Sequence, residues 1–353
     1  MPESTETGKL ITGKTMKLIN TNKAAGHTLC HDMTEVIPGK YKGTRFRRGH
    51  VVTEADIPVL LDMGKDQLYV LENEDGAGIG MENMSGMLHE EDAAEKLCFL
   101  LRGDNLRASP VREGKIELFA ESDGLLKINS EKLLSLNSVD GLTIMTQRGN
   151  QGVKKSEKIA AFRVIPLLIE EEKINFAAQI CGGEKLINIV PYKKKKAGII
   201  VTGNEIFHGR KSETGSEILK KKIEILPAEC VETLIFPDEV EKITAGILDM
   251  INRGFELIVC TGGMSVDPDD KTPLAIKNTG ARLVSHGVPF MPGVMLLLAY
   301  YEKNALSVPI IGAPACVFYE HITALDILLP RLIAGDPISR RDLALLGEGG
   351  LGG

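Results

Sequence analysis

Three short segments of this 353-residue chain place glycine, hydroxyl and carboxylate residues directly after apolar runs. Thr202-Gly203-Asn204-Glu205 closes AGIIVTG, and Gly312-Ala313-Pro314-Ala315-Cys316 closes SVPIIG. Between them, FELIVC leads into Thr261-Gly262-Gly263-Met264-Ser265-Val266-Asp267-Pro268-Asp269-Asp270-Lys271-Thr272-Pro273. Paired glycines let backbone N–H groups approach an anion with no Cβ in the way. Thr261 and Ser265 add hydroxyl donors, and Asp267, Asp269 and Asp270 add carboxylates suited to a hard cation such as Mg²⁺. The same residues also describe a plain strand–turn–helix connection, with Asp269 or Asp270 capping a helix begun at Thr272-Pro273.

Other segments carry weaker chemistry. GAGIGMENMSG (76–86) imitates a dinucleotide loop but lacks a βαβ context. His27, Cys30 and His31 in HTLCH have metal-ligand types without a further ligand pair, and read as a turn or packed strand. Arg47 and Arg48 are candidates for a phosphate contact, and Lys193–Lys196 reads as a solvated linker.

The elements that must position these residues follow from periodicity. After Lys196 the chain alternates strand and helix. Strands are expected at 197–203, 231–237, 255–260 and 307–312. Helices are expected at 213–223, from Asp238 as cap to Gly254, and from about 316 to 334. Continuous apolar strands suit burial on both faces, so the order predicts a three-layer α/β/α domain with a mostly parallel sheet. In such sheets ligands bind outside the carboxyl ends of the strands, where the three motifs fall.

Upstream, the pattern is mixed and β-rich. Thr53, with Asp56 in the capping-box position and Gly64 as stop, frames a helix in which Pro58 lies past the first turn. A strand is expected over 66–72 and an amphipathic helix over 88–103. KIELFA and LLKIN should form a hairpin about Asp123-Gly124, and 158–170 a further strand-like segment. This divides the chain into a mixed region (1–102), a β-rich domain (103–190), the α/β domain (196–335) and a short tail (336–353).

Composition narrows the classes. Hydrophobic residues make up 43% and charged residues 25%, so most of the chain can form cores. The net charge of −6 and the absence of Trp argue against a broad nucleic-acid grip or base-stacking platform. No apolar run is long enough to span a membrane, and the N-terminus lacks a signal-like apolar core. The six cysteines form no CxxC pair, which fits reduced thiols in a cytoplasmic protein.

VTGNEI and TGGMSVDPDDKTP resemble the paired motifs of the molybdopterin-binding domain, roughly T-G-D-E-[LI] and T-G-G-x-S-x-G-x-x-D. That domain is shared by molybdopterin molybdenumtransferases (including the gephyrin E domain), molybdopterin adenylyltransferases and CinA-type proteins. GVPFMPGV (287–294) lies near the family's K-P-G-K segment and VPIIGAPACVFY (308–319) near its G-L-P-G-N-P segment. The resemblance covers about 196–335. A weaker one, over 43–70, is to the segment leading into the transferase's catalytic domain.

The resemblance implies that Thr261, Gly262, Gly263 and Ser265, with Asn204, Gly312 and Pro314, bind molybdopterin. It implies that Asp270, Glu205 and Asp269 serve the molybdenum step, and that Asp270 and Asp267 hold Mg²⁺. Four positions depart from the pattern: Asn204 replaces an Asp, Asp267 a Gly, Val294 the Lys of P-G-K, and Cys316 an Asn. Asn204 and Val294 both remove charge that a molybdate-handling site would want. The implied function is molybdenum cofactor biosynthesis, with molybdopterin or its adenylylated form bound and molybdenum inserted from molybdate with Mg²⁺. The alternative is a non-catalytic carrier or maturation factor serving a client molybdoenzyme. A CinA-like nucleotide hydrolase is a third, supported by the -PDDKT- turn alone. The family also implies a homodimer.

Overall fold

The computed structural model describes residues 14–73, 86–265, 267, 270–303 and 306–351. They divide into two compact units, and the chain passes between them more than once. The first comprises residues up to 119, with 129–147 and 158–187; the second comprises 120–128, 148–157 and the rest from 188.

In the first unit, strand Lys14–Asn20 pairs antiparallel with Gln67–Asn73, and Met33–Ile37 forms a hairpin with Tyr41–Phe46. Helix Asp56–Asp62 packs Ile57 and Leu60 with Leu29, Met33, Val52 and Leu68. Pro58 falls inside the first turn after all, because the helix starts at Asp56. Its missing N–H therefore breaks no bond. Thr53 donates N–H and hydroxyl bonds to Asp56 Oδ2 at 2.8 and 2.7 Å, fixing that start. A four-stranded sheet follows, in the order Leu106–Ala108, Lys115–Ala120, Lys158–Val164, Leu142–Thr146. Helices Glu90–Leu101, Ser130–Asn137 and Glu171–Cys181 belong to the same unit.

Two local expectations fail here. Lys115–Ala120 and Gly124–Ile128 do not form a hairpin: the first pairs with Lys158–Val164, while the second lies between Gly152–Val153 and Ile187–Pro191 in a separate three-stranded sheet. Asp123 instead accepts bonds from Lys155 N–H and Lys154 Nζ. The run 158–170 is also two strands, Lys158–Val164 and Leu168–Glu170, broken at Ile165-Pro166.

The second unit is built on a six-stranded sheet in the order Ala228–Phe236, Lys195–Thr202, Leu257–Thr261, Leu306–Ala313, Leu297–Lys303, Arg282–His286. The first four are parallel, and the last two add an antiparallel edge that periodicity did not reveal. Alternate residues face opposite layers. Ile199, Val201, Leu257, Val259 and Ile311 share a core with Leu219 and Ile223 of helix Gly215–Glu224 and with Leu325, Leu328 and Leu332 of helix Ala324–Ala334. Ile200, Ile258, Cys260 and Ile310 pack with helices Val240–Asn252 and Thr272–Asn278. Two helices on each face make the three-layer α/β/α arrangement with a mostly parallel sheet. Each such side chain contributes about 1.5–3 kcal/mol on burial. Among the described residues no helix is long and apolar enough to cross a membrane.

Candidate functional site

The three motif loops leave the same edge of the sheet. Val201 lies opposite Thr261, and Thr261 opposite Ala313, so the parallel strands end together. This is the edge at which parallel α/β sheets bind ligands.

The central loop is built around glycine geometry. Gly262 has φ +90°, and a Cβ there would lie 2.1 Å from the Thr202 carbonyl oxygen. Gly263 has φ +51°, with Thr272 Oγ1 3.2 Å from where its Cβ would be. A chain of buried hydroxyls ties the loop down. Thr272 Oγ1 donates to Gly262 O at 2.8 Å, so at the 3.0 Å contact between Thr202 Oγ1 and Thr272 Oγ1 the proton comes from Thr202. Thr202 and Thr272 lie within the motif segments but carried no assigned role; the structure gives both the task of fixing the loop. Thr261 sends its own hydroxyl to Ala313 O at 3.2 Å and is 1% exposed, so it welds two strand ends together. Met264 is seated over Gly312, where a Cβ would approach its Cε within 2.3 Å.

The acids are engaged differently from simple helix caps. Asp270 Oδ2 accepts the Ser265 N–H at 2.7 Å, and the Asp270 N–H donates to Asp267 O at 2.9 Å. Asp270 therefore closes the loop upon itself, while helix Thr272–Asn278 has no side-chain cap. Asp267 and Ser265 are exposed, and Asp269 lies outside the described residues. Asp238 likewise does not cap helix Val240–Asn252. It accepts the Asn204 N–H at 2.9 Å and returns its own N–H to Asn204 Oδ1 at 3.3 Å. An Asp at 204 would bring two carboxylates together there, which accounts for the amide at this position. Glu205 folds its carboxylate over Gly203, with Oε2 3.1 Å from where a Cβ would stand; that carboxylate has no hydrogen bond among the described residues, while the backbone carbonyl accepts the Arg210 and Lys211 N–H groups.

The third loop starts at Pro314, ahead of the short 3-10 helix Ala315–Phe318. It is latched by Lys222. Its ammonium donates to Glu320 O at 3.0 Å, His321 O at 2.9 Å and Asp326 Oδ2 at 2.8 Å, with the side chain 11% exposed. Thr323 and Asp326 form a reciprocal capping box there. Removing the cation would leave Asp326 and two carbonyls short of a donor. Lys222→Met is expected to destabilise the second unit by about 3 kcal/mol, read as a lower urea midpoint with unchanged m-value. An unchanged midpoint would show that water replaces the ammonium without loss. Val294, where the family pattern has Lys, is 45% exposed and offers no charge. Burial raises the Cys316 thiol above its usual value, and Cys260 is pushed up to about 12, so neither behaves as a ready thiolate.

Among the described residues no group of three or more His, Cys, Asp or Glu is placed to hold a metal ion, and the Asp270 carboxylate already accepts the Ser265 N–H. The same finding covers His27, Cys30 and His31; burial pushes the Cys30 thiol up to about 11. Residues 76–85 of the dinucleotide-like loop lie outside the described residues.

Glycine-supported backbone turns lie at the carboxyl edge of a doubly covered parallel sheet, the edge at which α/β domains bind ligands. Residues 198–334 match the family described as "Probable molybdopterin binding domain". Residues 18–72 match a family described as a domain of unknown function (DUF8806). A Pyrobaculum aerophilum protein is 28% identical over 153 residues, 39% of this chain and 57% of the relative. The molybdopterin molybdenumtransferase of Synechococcus elongatus is 25% identical over 178 residues, 48% of this chain and 44% of that one. The chain thus spans about half the length of these curated relatives. Among solved structures, the tungsten cofactor synthesizing protein MoaB from Pyrococcus furiosus aligns at 16% identity and a TM-score of 0.32, covering 44% of this chain and 92% of that one.

Proposed function

We propose that this chain binds molybdopterin at the three motif loops and acts in molybdenum cofactor biosynthesis as a carrier or maturation factor that hands the cofactor to a client molybdoenzyme. One observation carries this reading: the backbone cradle at Gly262-Gly263 has no room for a Cβ, and the Asp270 carboxylate beside it is engaged by the loop's own Ser265 N–H. The Gly262–Ser265 turn would hold the phosphate, with Asn204 and Pro314 flanking it. Bound there, the pterin dithiolene would supply the metal-binding chemistry; the protein would supply position and shielding.

A second reading, Mg²⁺-assisted insertion of molybdenum from molybdate, draws on Glu205, whose carboxylate makes no hydrogen bond among the described residues. One experiment separates the two. The gently purified protein is analysed by mass spectrometry for released small molecules, then loaded with molybdopterin, molybdate and Mg²⁺ and assayed for bound molybdenum. The carrier reading expects molybdopterin or its adenylate to be released and bound molybdenum to stay independent of Mg²⁺. Mg²⁺-dependent uptake that is lost in Glu205→Gln would establish insertion instead. Release of a pyridine nucleotide would support a CinA-like hydrolase.

A further inference from the structure

The first unit contains a cleft of about 400 Å³, independent of the loops above and lined by His31, Asp32, Lys65, Glu90, Glu113 and Arg163 among others. That volume suits a small molecule rather than a macromolecule.

Glu90 sets the chemistry. It is the first residue of helix Glu90–Leu101, is only 8% exposed, and faces the cleft with a carboxyl group that no hydrogen bond satisfies among the described residues. The neighbouring acids differ. Asp32 Oδ1 accepts the Arg48 N–H at 2.8 Å, and Glu113 Oε1 accepts the Thr34 hydroxyl at 2.7 Å. A carboxylate largely withdrawn from water, open only to the cleft and without a protein partner among the described residues, carries a desolvation cost, and a structural carboxylate would ordinarily be satisfied by its own fold. Two cations on the same cleft keep spare capacity. Arg163 touches Glu113 only at 3.7 Å, beyond hydrogen-bond reach, and Lys65 forms no ion pair among the described residues. His31 Nδ1 is also buried without a partner among the described residues.

We propose that this cleft binds a small zwitterion, whose cationic N–H group docks on Glu90 and whose anionic group docks on Arg163 and Lys65. The cation supplies the donors that Glu90 lacks, and the anion supplies acceptors to a guanidinium that presents several N–H groups. This site is separate from the proposed molybdopterin site and stands or falls without it.

Protonation gives the site a signature. Burial raises Glu90 to about 7. Arg163 opposes that rise, while Glu91 on the same helix and Glu113 and Asp32 on flanking loops reinforce it. Lys65 and Asp32 face His31, which burial holds below the usual histidine value. A cationic ligand needs ionised Glu90, so affinity must climb with pH on either side of 7.

The test is calorimetric titration of the full chain with guanidinoacetate, which carries a guanidinium at one end and a carboxylate at the other. Methylguanidine and acetate serve as single-ended probes. Guanidinoacetate should bind with a Kd below about 20 mM, the weakest value its atom count allows for an efficient ligand. It should bind about tenfold tighter than either single-ended probe, and about tenfold tighter at pH 8 than at pH 6. Glu90→Gln should abolish the pH dependence and most of the affinity, while Arg163→Met should weaken guanidinoacetate and acetate but leave methylguanidine unchanged. No saturation by about 20 mM, equal affinity in Glu90→Gln, or a flat pH profile in the unsubstituted protein would each overturn the proposal.

Discussion

Gly262→Ala is expected to cost the second unit about 3 kcal/mol or more and to abolish molybdopterin retention. Two independent penalties meet at this residue. Its φ of +90° disfavours any L side chain, and a Cβ would stand 2.1 Å from the carbonyl oxygen of Thr202, a backbone atom that cannot swing aside. Relief requires moving the end of the 195–202 strand or the 261–272 loop. Either movement breaks the Thr202–Thr272–Gly262 hydroxyl chain. The measurement is urea unfolding alongside mass spectrometry of released pterin. Gly254→Ala makes a matched control, since Gly254 has φ +81° but no atom within 4 Å of its virtual Cβ. A glycine serving only as a turn would give both variants the same loss; a cradle glycine gives a larger loss at 262 and loses pterin there alone.

The second large effect is expected in the first unit and depends on pH. Burial raises Glu90 from 4.5 to about 7, so the fold favours its protonated form. A raised carboxyl contributes stability that is present below about pH 4.5 and is lost as pH rises through about 7. The corresponding free energy is about 3 kcal/mol. Glu90→Gln keeps the shape and removes the titration, so its stability relative to the unsubstituted protein should grow by about that amount between pH 4 and pH 8. His89 has the opposite sign. It is 3% exposed and lowered from 6.5 to about 4, chiefly by burial, so its contribution is lost as pH falls below about 6.5. Between about 4.5 and 6.5 the two slopes oppose each other, and the substitution should expose the His89 slope. Unfolding curves at pH 4, 5, 6, 7 and 8 check this, and parallel profiles for the two proteins would mean that folding does not shift Glu90.

The parallel strands were legible because burial on both faces leaves nothing but apolar residues, as in Ile199-Ile200-Val201 and Ile258-Val259-Cys260. The shared sheet edge followed from their direction. Misreadings fell where a partner is distant in sequence. Asp238 stands at a helix start, so it read as a cap, yet its carboxylate serves Asn204 across the sheet edge. Asp123-Gly124 has hairpin chemistry, but strand Gly124–Ile128 pairs with residues beyond 150. Strand Arg282–His286 was missed because its polar ends mask Leu283 and Val284. Glu90 gave no sequence signal: an acid in a helix's first turn is commonplace, and only its burial beside an open cleft sets it apart.

The return path of the chain bears on the order in which the protein can be made. Residues 120–128 and 148–157 belong with the unit whose bulk is synthesised later. Lys127 closes an ion pair with Asp336 at 3.0 Å, and Asp336 also engages the 8%-exposed Arg331. A chain emerging from the ribosome can pair strand Gly124–Ile128 with Gly152–Val153, but must leave its other edge open until strand Ile187–Pro191 appears, and hold Lys127 without its counter-ion until the last helices follow. The second unit cannot be excised as a contiguous fragment starting near residue 190, because two of its three small-sheet strands would stay behind. Polypeptides truncated between about residues 128 and 187 should display an unpaired edge on this strand, making nascent or prematurely terminated chains clients for a chaperone.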